Sequence, residues 1–85
     1  MRRYRKPVPG DVVRLQESAR GLWVELRQMP HSLLYCNPRV VVGPDDRLLV
    51  LEEYNDMSVI RVMTPSGASG WMSSDVLEIV IGVTA

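Results

Sequence analysis

The sequence contains one cysteine, one histidine and no phenylalanine among its 85 residues. The single cysteine, Cys36, excludes a disulfide bond within the chain. A zinc site takes four ligands, of which the protein supplies at least three, and Cys36 with His31 cannot provide a Cys/His set. We therefore expect no metal site and no cofactor.

Net charge and long apolar runs are missing as well. Ten basic and ten acidic side chains cancel, so no global field attracts nucleic acid or a membrane surface. The apolar runs are far shorter than the ~20 residues of a membrane-spanning helix. Pro7, Pro9 and Gly10 also interrupt the place where the apolar part of a secretory signal would lie. We expect a cytoplasmic protein with no membrane partner.

Residue patterns typical of catalysis are also lacking. Glu52 and Glu53 are adjacent on a predicted strand, so their side chains point to opposite faces and do not form a carboxylate pair. Residues 73–75, Ser-Ser-Asp, have no free histidine with which to form a triad. Cys36 is typical of a packed, inert thiol rather than of a nucleophile activated by His31. The chain is therefore predicted not to be an enzyme.

The composition that remains, 46% hydrophobic and 24% charged, is that of one small globular domain. Its charges are divided unevenly along the chain. Residues 1–27 hold seven basic and three acidic side chains, a net of +4, and residues 28–85 hold three basic and seven acidic, a net of −4.

Much of this positive charge lies in an N-terminal arm, residues 1–9, which we interpret as flexible because termini are where disorder concentrates. The alternative hypothesis is that the arm contacts a polyanion. The candidate nucleic-acid-binding residues are Arg2, Arg3, Arg5, Lys6 and Arg14.

Short β-branched segments with alternating polarity, separated by Gly, Pro, Asn and Asp, predict an all-β domain. The long segment between residues 28 and 39 is predicted to be a loop with Leu33 and Leu34 as apolar anchors. The predicted strands before residue 64 are residues 11–16, 22–28, 39–42, 47–54 and 58–63.

The last part of the domain, residues 64–80, predicts a tight turn, a strand carrying Trp71, a single 3-10 turn at residues 73–75 and a closing strand. Gly70 is expected to permit close backbone packing. Strand alternation places Met72 in the core and Trp71 on the opposite face.

Three of these stretches together resemble the bacterial SH3-like domain family. Residues 25–30, ELRQMP, are similar to the family's N-V-R-x-x-P strand exit, and residues 46–53, DRLLVLEE, to its G-D-x-V-x-V-L-E strand. Residues 67–77, GASGWMSSDVL, are similar to its G-x-x-G-W-V-x-x-x-Y-L ending. The resemblance covers about residues 11–80. It implies an SH3-like small barrel of five to seven short antiparallel strands, with a single 3-10 turn before the last strand.

The resemblance also implies where a ligand groove would lie. SH3 domains bind extended proline-rich peptides on an aromatic groove. In this sequence Val59, Ser73 and Val76 stand where such a groove has Trp, Pro and Tyr, so the fold is implied more strongly than a proline-rich ligand. The predicted partner-binding residues are Trp23, Tyr35, Val59, Trp71, Ser73 and Val76. For Trp71 and Trp23 the alternative interpretation is a large ring that covers the small core.

We accordingly predict one barrel domain, residues 10–80, between the basic arm and a tail at residues 81–85. The leading functional hypothesis is a non-enzymatic module that binds another protein. A nucleic-acid-binding accessory protein that uses the basic arm is the first alternative. A small subunit of a phage or mobile-element assembly is the second, by analogy with other free-standing barrels.

Overall fold

A computed structural model describes residues 5–54 and 58–83 of the chain. These residues form one antiparallel sheet of five strands and two single 3-10 turns, so the predicted all-β class is confirmed. The strands are β1 (Val12–Leu15), β2 (Leu48–Glu53), β3 (Val59–Met63), β4 (Ser69–Ser73) and β5 (Leu77–Ile81). The first 3-10 turn is Glu17–Ala19 and the second is Ser74–Val76.

The strand order in the sheet is β4-β3-β2-β1-β5. The strands β2, β3 and β4 follow one another as a meander, whereas β1 pairs with β2 across a long intervening loop and β5 returns to pair with β1. The last two strands therefore lie at opposite ends of the order, joined only by the second 3-10 turn. Among the described residues β4 and β5 do not pair, so the sheet is not closed into the barrel that the resemblance implies.

Alternation along the strands decides which side chains enter the core. In β1 the buried residues are Val13 and Leu15, and in β3 they are Ile60 and Val62. Met72 is buried from β4, which confirms its predicted direction. The buried apolar core comprises Val13, Leu15, Ala19, Leu26, Val42, Leu48, Val50, Ile60, Val62, Met72 and Leu77.

The predicted strands at residues 22–28 and 39–42 are wrong, because neither segment forms a continuous ladder. The first segment changes its backbone partner from one residue to the next. The Leu26 N–H bonds to the Val40 carbonyl at 2.9 Å, while Arg27 pairs with Trp71 on β4. Prolines at 38 and 44 bound the second segment, and proline supplies no ladder donor. Both segments belong to one irregular loop, residues 16–47, called here the long loop.

The predicted apolar anchors of that loop are also wrong. Leu33 and Leu34 are exposed, and Leu26 and Val42 are the long-loop side chains that reach the core with Ala19. Backbone hydrogen bonds within the loop hold these two residues in place. The Leu26 N–H donates to the Val40 carbonyl at 2.9 Å, and the Val42 N–H donates to the Val24 carbonyl at 2.8 Å. The residues between Gln28 and Cys36 lie beyond this pairing.

The second 3-10 turn forms one residue later than predicted. Ser73 is its N-cap, and the Ser73 side-chain oxygen accepts a hydrogen bond from the Asp75 N–H at 3.2 Å. Gln16 at the end of β1 braces the same turn, because its side-chain amide donates to the carbonyls of Asp75 and Leu77 at 3.1 and 3.0 Å. The turn is thus held from within and from β1.

The two ends of the described chain meet at Asp11. The buried Asp11 carboxylate accepts hydrogen bonds from both Arg5 Nη atoms at 2.8 and 3.0 Å, from the Val8 N–H at 2.9 Å and from the Val83 N–H at 2.7 Å. Residues 1–4 of the predicted arm and residues 84–85 of the predicted tail lie outside the described residues, so the flexibility of the arm stays a prediction. Ile81, assigned to the tail from the sequence, is the last residue of β5. Within residues 5–54 and 58–83, no helix is long and apolar enough to cross a membrane.

Candidate functional site

A groove of about 290 Å³ opens between the long loop and the end of β4. Four of the six residues predicted to bind a partner line it together: Trp23 and Tyr35 from the loop, and Ser73 and Val76 from β4 and the second 3-10 turn. The other lining residues are Leu22, Val24, Glu25, Arg27, Leu33 and Met72. Residues far apart in the sequence therefore share one concave surface.

The groove exists because the long loop docks on the outer edge of β4. The Arg27 N–H donates to the Trp71 carbonyl, and the Trp71 N–H donates to the Arg27 carbonyl, each at 2.8 Å. This reciprocal pair adds one rung to an edge that otherwise has exposed backbone groups. The loop is thereby fixed at the position where its side chains form one wall of the groove.

Gly70 makes this docking possible. A Cβ atom at residue 70 would lie 2.7 Å from the Leu26 Cβ, and 3.0 Å from both the Arg27 carbonyl oxygen and the Cys36 Sγ. Any side chain would therefore push the loop away from β4. The close backbone approach predicted for Gly70 is confirmed, and its partner is the long loop.

Trp23 and Tyr35 supply aromatic surface to the loop side of the groove. Trp23 is 70% exposed and Tyr35 is 50% exposed, and Leu22 and Leu33 beside them are also exposed. Exposed apolar side chains that share one concave surface are typical of contact sites rather than of scattered surface positions. The Trp23 Nε1–H donates to Glu25 Oε1 at 2.7 Å, and this hydrogen bond favours one orientation of the ring.

Trp71 and Val59, the other two predicted partner-binding residues, do not line this groove. Trp71 is half-buried and meets Tyr54 edge-to-face, with ring centroids 6.1 Å apart and planes at 83°. Tyr54 in turn stacks on His31 at 5.8 Å. Val59 lies on β3 directly opposite Ser73 in the register. The structure thus places Trp71 in an aromatic cluster with Tyr54 and His31.

Glu25 is the groove residue that pattern reasoning missed. Its side chain is only 7% exposed, which is unusual for a carboxylate. One carboxylate oxygen, Oε1, accepts the Trp23 indole hydrogen bond, and the other, Oε2, has no hydrogen-bond partner among the described residues. Residues two apart in an extended segment face the same side, so the sequence places Glu25 beside Trp23, but this alternation does not indicate that Glu25 is buried.

The candidate nucleic-acid residues are divided between ion pairs and undescribed positions. Arg5 pairs with Asp11, and Arg14 bonds to Glu78 Oε2 through Nε at 2.9 Å. Arg2 and Arg3 lie outside the described residues. Lys6 already interacts with another group of the protein. Two of the five predicted cations are therefore already neutralised by carboxylates.

Side chains that could bind a metal ion do not form a cluster in the described part of the chain. There, no group of three or more His, Cys, Asp or Glu side chains is placed to hold an ion. A wider, shallow depression lined by Gln16, Glu17, Ser18 and Glu78 lies beside the second 3-10 turn. Its Gln16 amide donates to the carbonyls of Asp75 and Leu77, and its Glu78 carboxylate accepts from Arg14.

Comparisons with known proteins do not assign the chain to a family. No family model, no curated protein and no solved structure matches it. The residues of the groove are therefore the observations from which a function can be inferred.

Proposed function

We propose that this chain is a non-enzymatic module that binds another protein through the groove between the long loop and β4. The observation that carries this proposal is the convergence of Trp23 and Tyr35 with Ser73 and Val76 on one concave surface. Tryptophan and tyrosine dominate binding energy at protein interfaces, because they bury large rigid surfaces at small entropic cost.

The proposal includes an SH3-like architecture. Three observations support it: the strand order β4-β3-β2-β1-β5, the long loop between β1 and β2 that packs on β4, and the single 3-10 turn before the last strand. In that architecture the sheet would bend back on itself. The register shift between Val50 and Glu52 on β2 lies where such a bend is expected, because an extra residue increases local twist.

A peptide selection with groove variants tests the binding function. Random peptides displayed on phage would be selected on the wild-type domain, and the affinity of each selected peptide measured by fluorescence anisotropy. Tyr35→Ala should weaken binding by roughly tenfold or more, the loss typical of an interface aromatic. Circular dichroism would confirm that the variant stays folded.

Leu34→Ala is the matched control. Leu34 is the sequence neighbour of Tyr35 and is similarly exposed, at 56% against 50%, but it does not line the groove. Its truncation should leave the affinity unchanged. Equal affinity for wild type and Tyr35→Ala, or the selection of no peptide at all, would rule out the groove as a binding site.

Nucleic-acid binding by the basic arm is the alternative, and it depends on Arg2 and Arg3. A mobility-shift assay at several salt concentrations separates the two functions, because phosphate contacts give a steep salt dependence. On the protein-binding proposal, the wild type and an Arg2→Ser/Arg3→Ser variant should bind nucleic acid equally weakly. Membership of a phage or mobile-element assembly is decided by the neighbouring genes.

A further inference from the structure

Glu25 lines the groove, and only one of its two carboxylate oxygens accepts a hydrogen bond within the described residues. Its side chain is 7% exposed, and its Oε2 atom is buried with no hydrogen-bond partner in the part of the chain that the structure describes. A buried carboxylate oxygen normally has a hydrogen-bond partner, because removing it from water without one is unfavourable. Because a carboxylate oxygen accepts hydrogen bonds, the group that would satisfy Glu25 Oε2 is a hydrogen-bond donor.

Among the described residues, the cation that contacts this oxygen is Arg39, whose Nε atom lies 3.6 Å from Glu25 Oε2. This distance allows electrostatic attraction but is too long for a hydrogen bond. Arg39 is itself 75% exposed, so little packing holds its side chain against the carboxylate. The contact is a loose ion pair that can exchange.

We propose that Glu25 is the cation-recognition residue of the groove, and that Arg39 is a resident counter-ion displaced by an arginine side chain of the bound protein. This inference rests on the proposed protein-binding function and specifies the chemistry of the partner. When Arg39 moves away, Oε2 gains access to a donor from the ligand. The incoming guanidinium then makes the hydrogen bond that Arg39 leaves unmade.

Arginine fits this position better than lysine does. Its planar guanidinium can donate to a carboxylate and lie against an aromatic ring at the same time. Trp23 offers such a ring, since it is bonded to the other oxygen of the same carboxylate and is largely exposed. Lysine would contribute a point charge without the stacking.

Arg27 limits what the groove accepts. It also lines the groove, so its positive charge opposes a dense cluster of cations. The attraction is therefore local to Glu25. The structure assigns to the partner one arginine among apolar residues rather than a polybasic segment.

A small-molecule titration tests this directly. The probe is N-acetyl-arginine amide, and the control is N-acetyl-citrulline amide, which has nearly the same shape and no charge. The readout is the indole N–H resonance of Trp23 in the NMR spectrum of the labelled protein. Arginine amide should shift this resonance in a saturable manner, and citrulline amide should not.

We expect two variants to change the affinity for arginine amide in opposite directions. Glu25→Gln should weaken the binding of arginine amide by at least about tenfold, because a charged acceptor is replaced by a neutral one. Arg39→Gln should tighten it by about two- to fivefold, because a competing, mostly exposed ion pair is removed. Destabilisation of the fold cannot produce the second result, so the proposal stays testable even if Glu25→Gln folds poorly.

Equal shifts by arginine and citrulline amides, or no tightening in Arg39→Gln, would overturn the proposal. The peptides selected on the domain separate this failure from failure of the binding function. If Tyr35→Ala weakens them while Glu25→Gln and Arg39→Gln do not alter their affinity, the groove binds protein but Glu25 is no cation site. If none of the three variants alters their affinity, the groove itself is the wrong site.

Discussion

Arg27 and Trp71 exchange two backbone hydrogen bonds of 2.8 Å, and this pair joins the long loop to the outer edge of β4. The pair has two consequences. It covers part of a sheet edge that would otherwise be open to other chains. It also brings the loop side chains, Trp23 and Tyr35 among them, against Ser73 and Val76. The stability of the loop and the shape of the groove are therefore coupled through one contact.

Gly70→Ala should break that coupling. The added Cβ would lie 2.7 Å from the Leu26 Cβ, so the loop must move or the core must deform. We expect the free energy of unfolding to fall by about 1–3 kcal/mol, the usual effect of overpacking. Urea unfolding followed by tryptophan fluorescence measures the change.

Gly21→Ala is the control for this prediction, because no atom lies within 4 Å of a Cβ placed there. Its effect should stay within about 0.5 kcal/mol, as for ordinary surface substitutions. A Gly70→Ala protein as stable as Gly21→Ala would show that the loop is not packed tightly on β4.

Asp11 should make stability depend on pH in the acid range. Burial raises the pKa of this carboxyl, but the hydrogen bonds from Arg5, Val8 and Val83 outweigh that effect and lower it to about 2, from an ordinary 3.8. A lowered pKa in the folded state means that the stabilisation is present above about pH 4 and is lost as the pH falls towards 2. The loss should be about 2 kcal/mol at most, since Arg5 is 43% exposed and its attraction is screened.

The Asp11→Asn variant measures this contribution. It should be less stable than the wild type at pH 7, and its stability should change less between pH 4 and pH 2. Asp45→Asn alters an exposed carboxylate in a turn and should keep the wild-type pH profile. Parallel profiles for wild type and Asp11→Asn would contradict the role given to Asp11.

Ser73→Ala should destabilise the second 3-10 turn. The variant loses the side-chain oxygen that caps the Asp75 N–H, and we expect a decrease of about 0.5–1 kcal/mol in the free energy of unfolding. Ser18→Ala, at an exposed position in the first 3-10 turn, should have no measurable effect. Equal stabilities of the two variants would mean that the cap contributes nothing.

Trp71→Ala should act on stability more than Tyr35→Ala does. Trp71 is half-buried against Tyr54, at 6.1 Å between ring centroids, and its removal leaves space beneath the loop. We expect a loss of about 2 kcal/mol, less than for a fully buried tryptophan, against under about 1 kcal/mol for the exposed Tyr35. Thermal unfolding of both variants gives the comparison, and the reverse order would place Trp71 on the ligand side instead.

The sequence predicts those parts of the fold that local chemistry determines. Residues 11–16 and 58–63 are predicted as strands from their β-branched residues and alternating polarity, and the structure places β1 and β3 there. Ser73 favours a capped turn whatever the surrounding fold, and the turn begins one residue after it. These elements depend on neighbours along the chain, so pattern reasoning recovers them.

The long loop could not be predicted in this way, because its conformation depends on distant partners. Residues 22–28 alternate like a strand, yet only Leu26 enters the core and Arg27 bonds to Trp71. For the same reason the burial of Glu25 was missed, since nothing local shows which carboxylate the loop encloses. Trp23 and Tyr35 were predicted as contact residues from their type, and their meeting in one groove required the structure.

The proposal that the groove binds a protein is tested most directly by mapping where a bound peptide contacts the domain. A peptide selected on the wild type would be titrated into labelled protein, and backbone and indole chemical shifts followed. We predict that the largest chemical-shift changes fall on Trp23, Tyr35, Ser73 and Val76. Changes concentrated on β5, around the exposed Ile81 and Val83, with the groove resonances unmoved, would contradict it.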